Sequence, residues 1–159
     1  MGCRPGPSPG DAVGLIRIPR ISLNVAFVQG IAPSDLAKGP GHYTGTPLPG
    51  QGGNVVIAGH RTTNLAPFWA LDALRPGDQI VLRTRRGTFV YDVKWARVVS
   101  PTSWWVVGPT RRPSLTLTTC NPRFSPRQRL VVRAILVLAS LSPAAPSTVG
   151  PDRPAPVPS

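Results

Sequence analysis

No stretch of the central sequence runs far before reaching a residue that stops a helix. Pro-Gly pairs at 40–41 and 49–50, the segment 75–78 (RPGD) and the segment 85–87 (RRG) cut it into short pieces. Proline fixes φ and lacks the N–H that a helix interior needs, while glycine loses the most backbone freedom on ordering. Such residues delimit turns. Between the breaks lie short runs rich in β-branched and aromatic residues: 13–18 (VGLIRI), 23–28 (LNVAFV), 54–58 (NVVIA), 78–83 (DQIVLR), 88–95 (TFVYDVKW), 115–119 (LTLTT) and 130–138 (LVVRAILVL). Runs of that length and composition are strands. Helix is favoured in two places, 34–38 (SDLAK) and 67–74 (PFWALDAL), the latter with Phe68, Leu71 and Leu74 on one face. The pattern predicts an all-β fold of seven or eight strands and two or three short helices, closed or nearly closed into a barrel.

With 159 residues the chain is one domain. A domain of that size buries roughly 70% of its unfolded surface and needs no disulfide. The folded barrel is expected over 13–138. The leader, 1–12, and the Pro-rich tail, 139–159, are too poor in apolar surface to fold and are expected to be disordered. Cys3 falls in that leader, which leaves Cys120 as an expected free thiol. The apolar run from Ala134 to Leu141 is far short of the ~20 residues a membrane helix needs, and the first dozen residues carry no apolar core of a secretion signal.

The formal charge is +12, built from sixteen arginines and two lysines against six aspartates and no glutamate. That balance favours anionic neighbours such as nucleic acid, anionic lipid or an acidic cell-wall polymer. Arginine in place of lysine equally follows from a G+C-rich coding sequence. No recognition helix, zinc-finger spacing or RNA-binding signature accompanies the arginine runs, so nucleic acid is not expected as a partner. With so few carboxylates no calcium site is expected, and neither metal nor cofactor is called for.

Three polar residues sit at predicted strand ends, where rigid scaffolds hand side chains to loops. His60 closes NVVIAGH just after Gly59, a residue that lets the backbone turn or approach a neighbour closely. Cys120 ends LTLTT, and Arg129 opens the following strand after the eight residues 121–128, so a hairpin would return it to Cys120. A thiol becomes a nucleophile when it loses its proton, an imidazole can take and return that proton, and a guanidinium can stabilise the oxyanion formed at an attacked carbonyl. Taken one at a time, each has an ordinary structural reading: a buried thiol, a surface histidine, one arginine among sixteen.

Taken in order, the segments resemble a known family. TLTTC at 116–120 followed by Arg129, GNVVIAGHRTT at 53–63, GPGHYTGTPLPGQGGN at 39–54 and APFWALDALRPGDQIVLRT at 66–84 are similar to segments of the sortases, the cysteine transpeptidases of bacterial cell walls, most of all class E of high-G+C Gram-positive bacteria. The resemblance covers 13 to about 138. It implies a closed eight-stranded sortase-type barrel, with Cys120 as nucleophile, His60 as general acid and base, and Arg129 as oxyanion stabiliser. It also implies that Thr119 orients the bound sorting signal. Tyr43 is a candidate for a preference for Leu-Ala-X-Thr-Gly over Leu-Pro-X-Thr-Gly, and is equally readable as a structural tyrosine. Trp104 and Trp105, in 100–110 (SPTSWWVVGPT), are candidates for the groove wall or for packing under a long loop.

The partners so implied are secreted proteins with such signals and an amine acceptor such as a peptidoglycan precursor, with the chain acting as a monomer. The implied place is the extracytoplasmic face of the membrane or cell wall, with the family's N-terminal anchor lying outside this reading frame. Two rival readings are an L,D-transpeptidase and a non-catalytic basic module binding an anionic polymer. The first expects Ser-x-Gly-Cys-x-Arg, where this chain has Thr118, Thr119, Cys120, Asn121 and Pro122.

Overall fold

The computed structural model describes residues 7–63 and 65–142. Eight strands form a closed barrel: β1 (Ala12–Ile18), β2 (Leu23–Gln29), β3 (Gly41–His42), β4 (Asn54–Ala58), β5 (Gln79–Thr84), β6 (Gly87–Val99), β7 (Ser114–Asn121) and β8 (Gln128–Leu141). Around the barrel the order is β1-β2-β3-β4-β7-β8-β6-β5, and β5 pairs back onto β1. Closure removes the free edges that an open sheet exposes to other chains. The alternation seen in the sequence becomes an inside and an outside. Ile16, Ile18, Phe27, Ile57, Leu82, Phe89, Leu115 and Leu117 are all fully buried in one core.

Seven strands lie where the β-branched runs predict them. The eighth, β3, spans two residues, too few to show any period. The predicted helix at 34–38 reduces to the single turn α1 (Pro33–Leu36). The one at 67–74 contains only a 3₁₀ turn, Leu71–Ala73. Phe68, Leu71 and Leu74, the expected apolar face, are all in the core, but the loop folds around Phe68 instead of continuing as a helix.

The expected ends also shift. Ala139, Ser140 and Leu141, assigned to the tail, continue β8 because the long β6 offers them partners at Phe89, Thr88 and Gly87. At the other end, residues assigned to the leader are tied to the barrel. Gly10 N–H donates to Gln29 O at 2.7 Å, and Gln29 N–H donates to Asp11 O at 2.8 Å. Residues 1–6 and 143–159 lie outside the described residues.

Candidate active site

Two ladders bring the chemistry together. β4 runs parallel to β7 with Asn54 beside Ser114 and Ala58 beside Thr118, a constant offset. The ladder continues one step further, where Gly59 N–H donates to Thr118 O at 3.1 Å. Carried on by one residue, the same offset sets His60 beside Cys120. On the other side β7 pairs antiparallel with β8, and there Cys120 is directly opposite Arg129. Directly opposed residues of an antiparallel pair have Cβ atoms about 5 Å apart on one face. His60, Cys120 and Arg129 therefore stand in one row at three neighbouring strand ends, and all three line one cleft.

Local contacts hold that row. A Cβ on Gly59 would lie 2.7 Å from Cδ2 of Phe68, so only glycine lets the loop pack its core phenylalanine against the backbone that leads into His60. Phe68 N–H donates to His60 O at 3.1 Å. Thr119 is buried and its hydroxyl donates to Gly59 O at 2.7 Å, which ties β7 to the strand that presents His60.

The row opens into a cleft of about 370 Å³ whose walls include Tyr43, His60, Trp104, Thr119, Cys120 and Arg129, with Ile31, Val99 and Val106 supplying apolar surface. Cys120 is a free, half-buried thiol, and Cys3 lies outside the described residues. Arg129 donates from Nη1 to Pro126 O at 2.7 Å and to Gln128 O at 3.1 Å, which anchors the guanidinium through one nitrogen. Trp105, paired with Trp104 as a candidate wall residue, is not in the cleft. Its ring packs 5.9 Å from that of Trp95 on the outer face of the barrel.

The second histidine contrasts with His60. His42 in β3 is 1% exposed, and its ring nitrogens face Gln29 Oε1 and Pro47 O, both at 2.8 Å. Burial pushes it below the ordinary imidazole range, against the opposing pull of the bond to Pro47. Both ring nitrogens are committed within the fold, and His42 is a structural group. Among the described residues no cluster of three or more His, Cys, Asp or Glu is placed to hold a metal ion.

Two sets of residues were not singled out from the sequence. Arg61 is buried behind the row and donates from Nη1 to Cys120 O at 3.0 Å. On the outer face Asn54 donates to Val106 O and Gly108 O, both at 2.9 Å, while Thr116 donates to Asn54 Oδ1 at 2.6 Å. Arg133 donates to Thr116 Oγ1 at 2.8 Å and to Val106 O at 3.2 Å. That network pins the loop 100–113, which carries Trp104. Adjacency to His60 was the only available signal for Arg61, and nothing in the pattern marks the second set.

Fold and cleft together define a closed all-β barrel that gathers a free thiol, an imidazole and a guanidinium at one rim. The sortase domain family model matches residues 16–137, and the chain belongs to the sortase family. It is 35% identical over 140 residues to sortase SrtE1 of Streptomyces coelicolor, covering 78% of this chain and 40% of that protein. It is 33% identical over 117 residues to sortase D of Bacillus subtilis, covering 73% and 58%. Among solved structures, sortase E from Streptomyces avermitilis superposes with a TM-score of 0.76 at 33% identity, covering 87% of this chain and 98% of that one. The class E members implied by the segment resemblance are thus among its relatives, beside a sortase D. The chain spans less than two thirds of the length of either curated relative.

Proposed function

We propose that this barrel is the catalytic domain of a cysteine transpeptidase that cleaves a sorting signal between Thr and Gly and passes the acyl group to an amine. The observation that carries the reading is that Cys120 pairs directly with Arg129 and shares one cleft with Arg129 and His60. Cys120, as thiolate, attacks the threonine carbonyl carbon. The oxyanion that forms is met by the Arg129 guanidinium, whose anchored Nη1 leaves Nη2 and Nε without a hydrogen bond among the described residues. His60 gives its proton to the departing glycine amine as the tetrahedral species collapses to a thioester. The acceptor amine then attacks that thioester, His60 takes up the proton it releases, and Cys120 leaves. No metal or cofactor enters any step.

The apolar walls of the cleft suit the leucine and alanine (or proline) of a Leu-Ala-X-Thr-Gly or Leu-Pro-X-Thr-Gly signal, with Trp104 and Tyr43 as the contact residues. Thr119 acts by holding the strand end, since its hydroxyl is committed to Gly59 O. The catalytic domain is taken as 13–138, extended through Leu141 by β8. Partners are signal-bearing secreted proteins and a cell-wall amine, encountered outside the cytoplasmic membrane. No helix among the described residues is long and apolar enough to cross a membrane.

The test is incubation with Leu-Ala-X-Thr-Gly and Leu-Pro-X-Thr-Gly peptides, with and without a glycine-type amine, followed by mass spectrometry. The expected results are a thioester on Cys120 and a ligated product with the amine. Absence of both from folded protein with a titratable thiol, for every peptide, removes the proposal.

A further inference from the structure

Arg61 is an arginine with almost no exposure, 4%, in a protein whose other arginines are mostly at the surface. Its guanidinium is nearly saturated by acceptors from two separate segments, 69–72 and 120–121. Nε donates to Trp69 O at 3.0 Å, and Nη1 donates to Cys120 O at 3.0 Å and to Asn121 Oδ1 at 3.3 Å. Nη2 pairs with Asp72 Oδ1 at 3.1 Å. A planar fork with fixed donor directions fits four acceptors in this way, whereas an ammonium cannot.

The fork joins the two loops that end at the cleft. Arg61 is covalently next to His60, and it holds the carbonyl of Cys120 itself. Around it Arg123, from the β7–β8 loop, donates to the same Trp69 O from Nη2 at 3.0 Å and to the same Asp72 Oδ1 at 3.1 Å. The Arg123 guanidinium also lies 4.4 Å from the centroid of the Trp69 ring. Phe124 meets that ring edge-on with centroids 5.9 Å apart.

We propose that Arg61 is a positioning residue that locks the His60 loop to the Cys120 strand end, so that imidazole and thiol keep one separation through both halves of the reaction. This rests on the transpeptidase reading for its catalytic consequence, while the clamp itself is testable without turnover. Misplacing a reacting group by about 1 Å can lower a rate by ~10²-fold, which sets the scale.

The experiment compares the whole chain with Arg61→Lys, Asp72→Asn and, as a control, Arg83→Lys on β5. Two readouts are taken: steady-state kinetics per titratable thiol, and amide hydrogen exchange. Arg61→Lys keeps the charge and removes the fork. It is expected to lower kcat by roughly 10- to 100-fold with KM changed less than about 2-fold, and to speed exchange in 61–74 and 121–127 together while β1 and β5 stay protected. Asp72→Asn, which keeps the fork, is expected to give a smaller fall, and Arg83→Lys none. Added guanidinium ion should recover part of the rate in Arg61→Ala if that variant folds. Unchanged kcat in Arg61→Lys, or faster exchange in one loop only, overturns the clamp. If the parent protein turns over no peptide, the transpeptidase reading fails and the exchange result still decides for or against the clamp.

Discussion

The three strands β4, β7 and β8 end twice, and their two ends make an instructive pair. At one end the terminal residues of β4 and β7 and the first turn of β8 open into the cleft of about 370 Å³ that holds Cys120. At the other, Gly50, Gly53, Pro113, Leu136, Ala139 and Leu141 line a second cavity of about 360 Å³, as open to solvent as the first. Volume does not separate them, and neither does the fold, since the same strands build both. The difference is in side chains. The cleft is walled by a thiol, an imidazole and a guanidinium, whereas among the described residues the only titratable group lining the far cavity is the phenol of Tyr91. A barrel supplies rims, and the residues placed at a rim decide whether it does chemistry.

The sharpest way to break the comparison is to exchange effects between the ends. Cys120→Ala is expected to abolish thioester formation and ligation, a loss of 10³-fold or more by order of magnitude, with thermal stability nearly unchanged because the thiol is half-buried and makes no disulfide. Peptide turnover and a melting curve on one sample check both halves. A variant that still ligates would show the thiol to be incidental. Phe89→Ala should do the reverse. Phe89 is fully buried and touches the far cavity, so truncation should lower stability by about 3–5 kcal/mol while the rate per folded molecule holds. Denaturant melts together with active-site titration separate the two quantities, and a changed rate per folded molecule would mean that the ends are coupled.

A finer test lies at the wall of the cleft, between neighbouring tryptophans. Trp104 lines the cleft and Trp105 packs on Trp95 outside it. Trp104→Ala is expected to raise KM for a sorting peptide by about 10-fold, roughly the 1.4 kcal/mol of one buried contact. Trp105→Ala should leave KM alone and lower stability by about 0.5–1.5 kcal/mol through the lost aromatic pair. Equal KM effects would place both rings against the substrate.

The two ends were not equally legible in the sequence. Short β-branched runs announced seven strands, because a half-buried pleated surface selects those side chains, and the offsets that align His60, Cys120 and Arg129 follow once the strands pair. The resemblance of TLTTC and GNVVIAGHRTT to sortase segments points to the same three residues that line the cleft. What stayed hidden depends on contacts between residues far apart in sequence. β3 is too short to show a period, and the segment 67–74 carries a helical face that the core captures without a helix. Arg61 looks like any of its fellow arginines until its four acceptors are assembled from Trp69, Asp72, Cys120 and Asn121. Nothing in the Gly50–Gly53 turn or in Leu136 hints at a second cavity.

The smallest effect expected belongs to that far cavity and to its one titratable group. Burial raises the Tyr91 phenol well above the ordinary tyrosine range, since the phenolate would lose its hydration there. In the unfolded chain the same group ionises near pH 10. Below that pH both states are neutral and Tyr91 contributes its full stability. Above it the unfolded chain releases a proton that the folded chain retains, so stability falls as pH rises towards the folded pKa. The decline should reach about 1 kcal/mol between pH ~10.5 and 11. Other groups also titrate in this range, so the quantity to measure is the difference between the parent protein and Tyr91→Phe in denaturant midpoint across about pH 8 to 11. The parent's midpoint should fall relative to that of Tyr91→Phe as pH rises, with turnover at neutral pH the same in both. Parallel curves would mean that the phenol at the far end is hydrated in the folded protein.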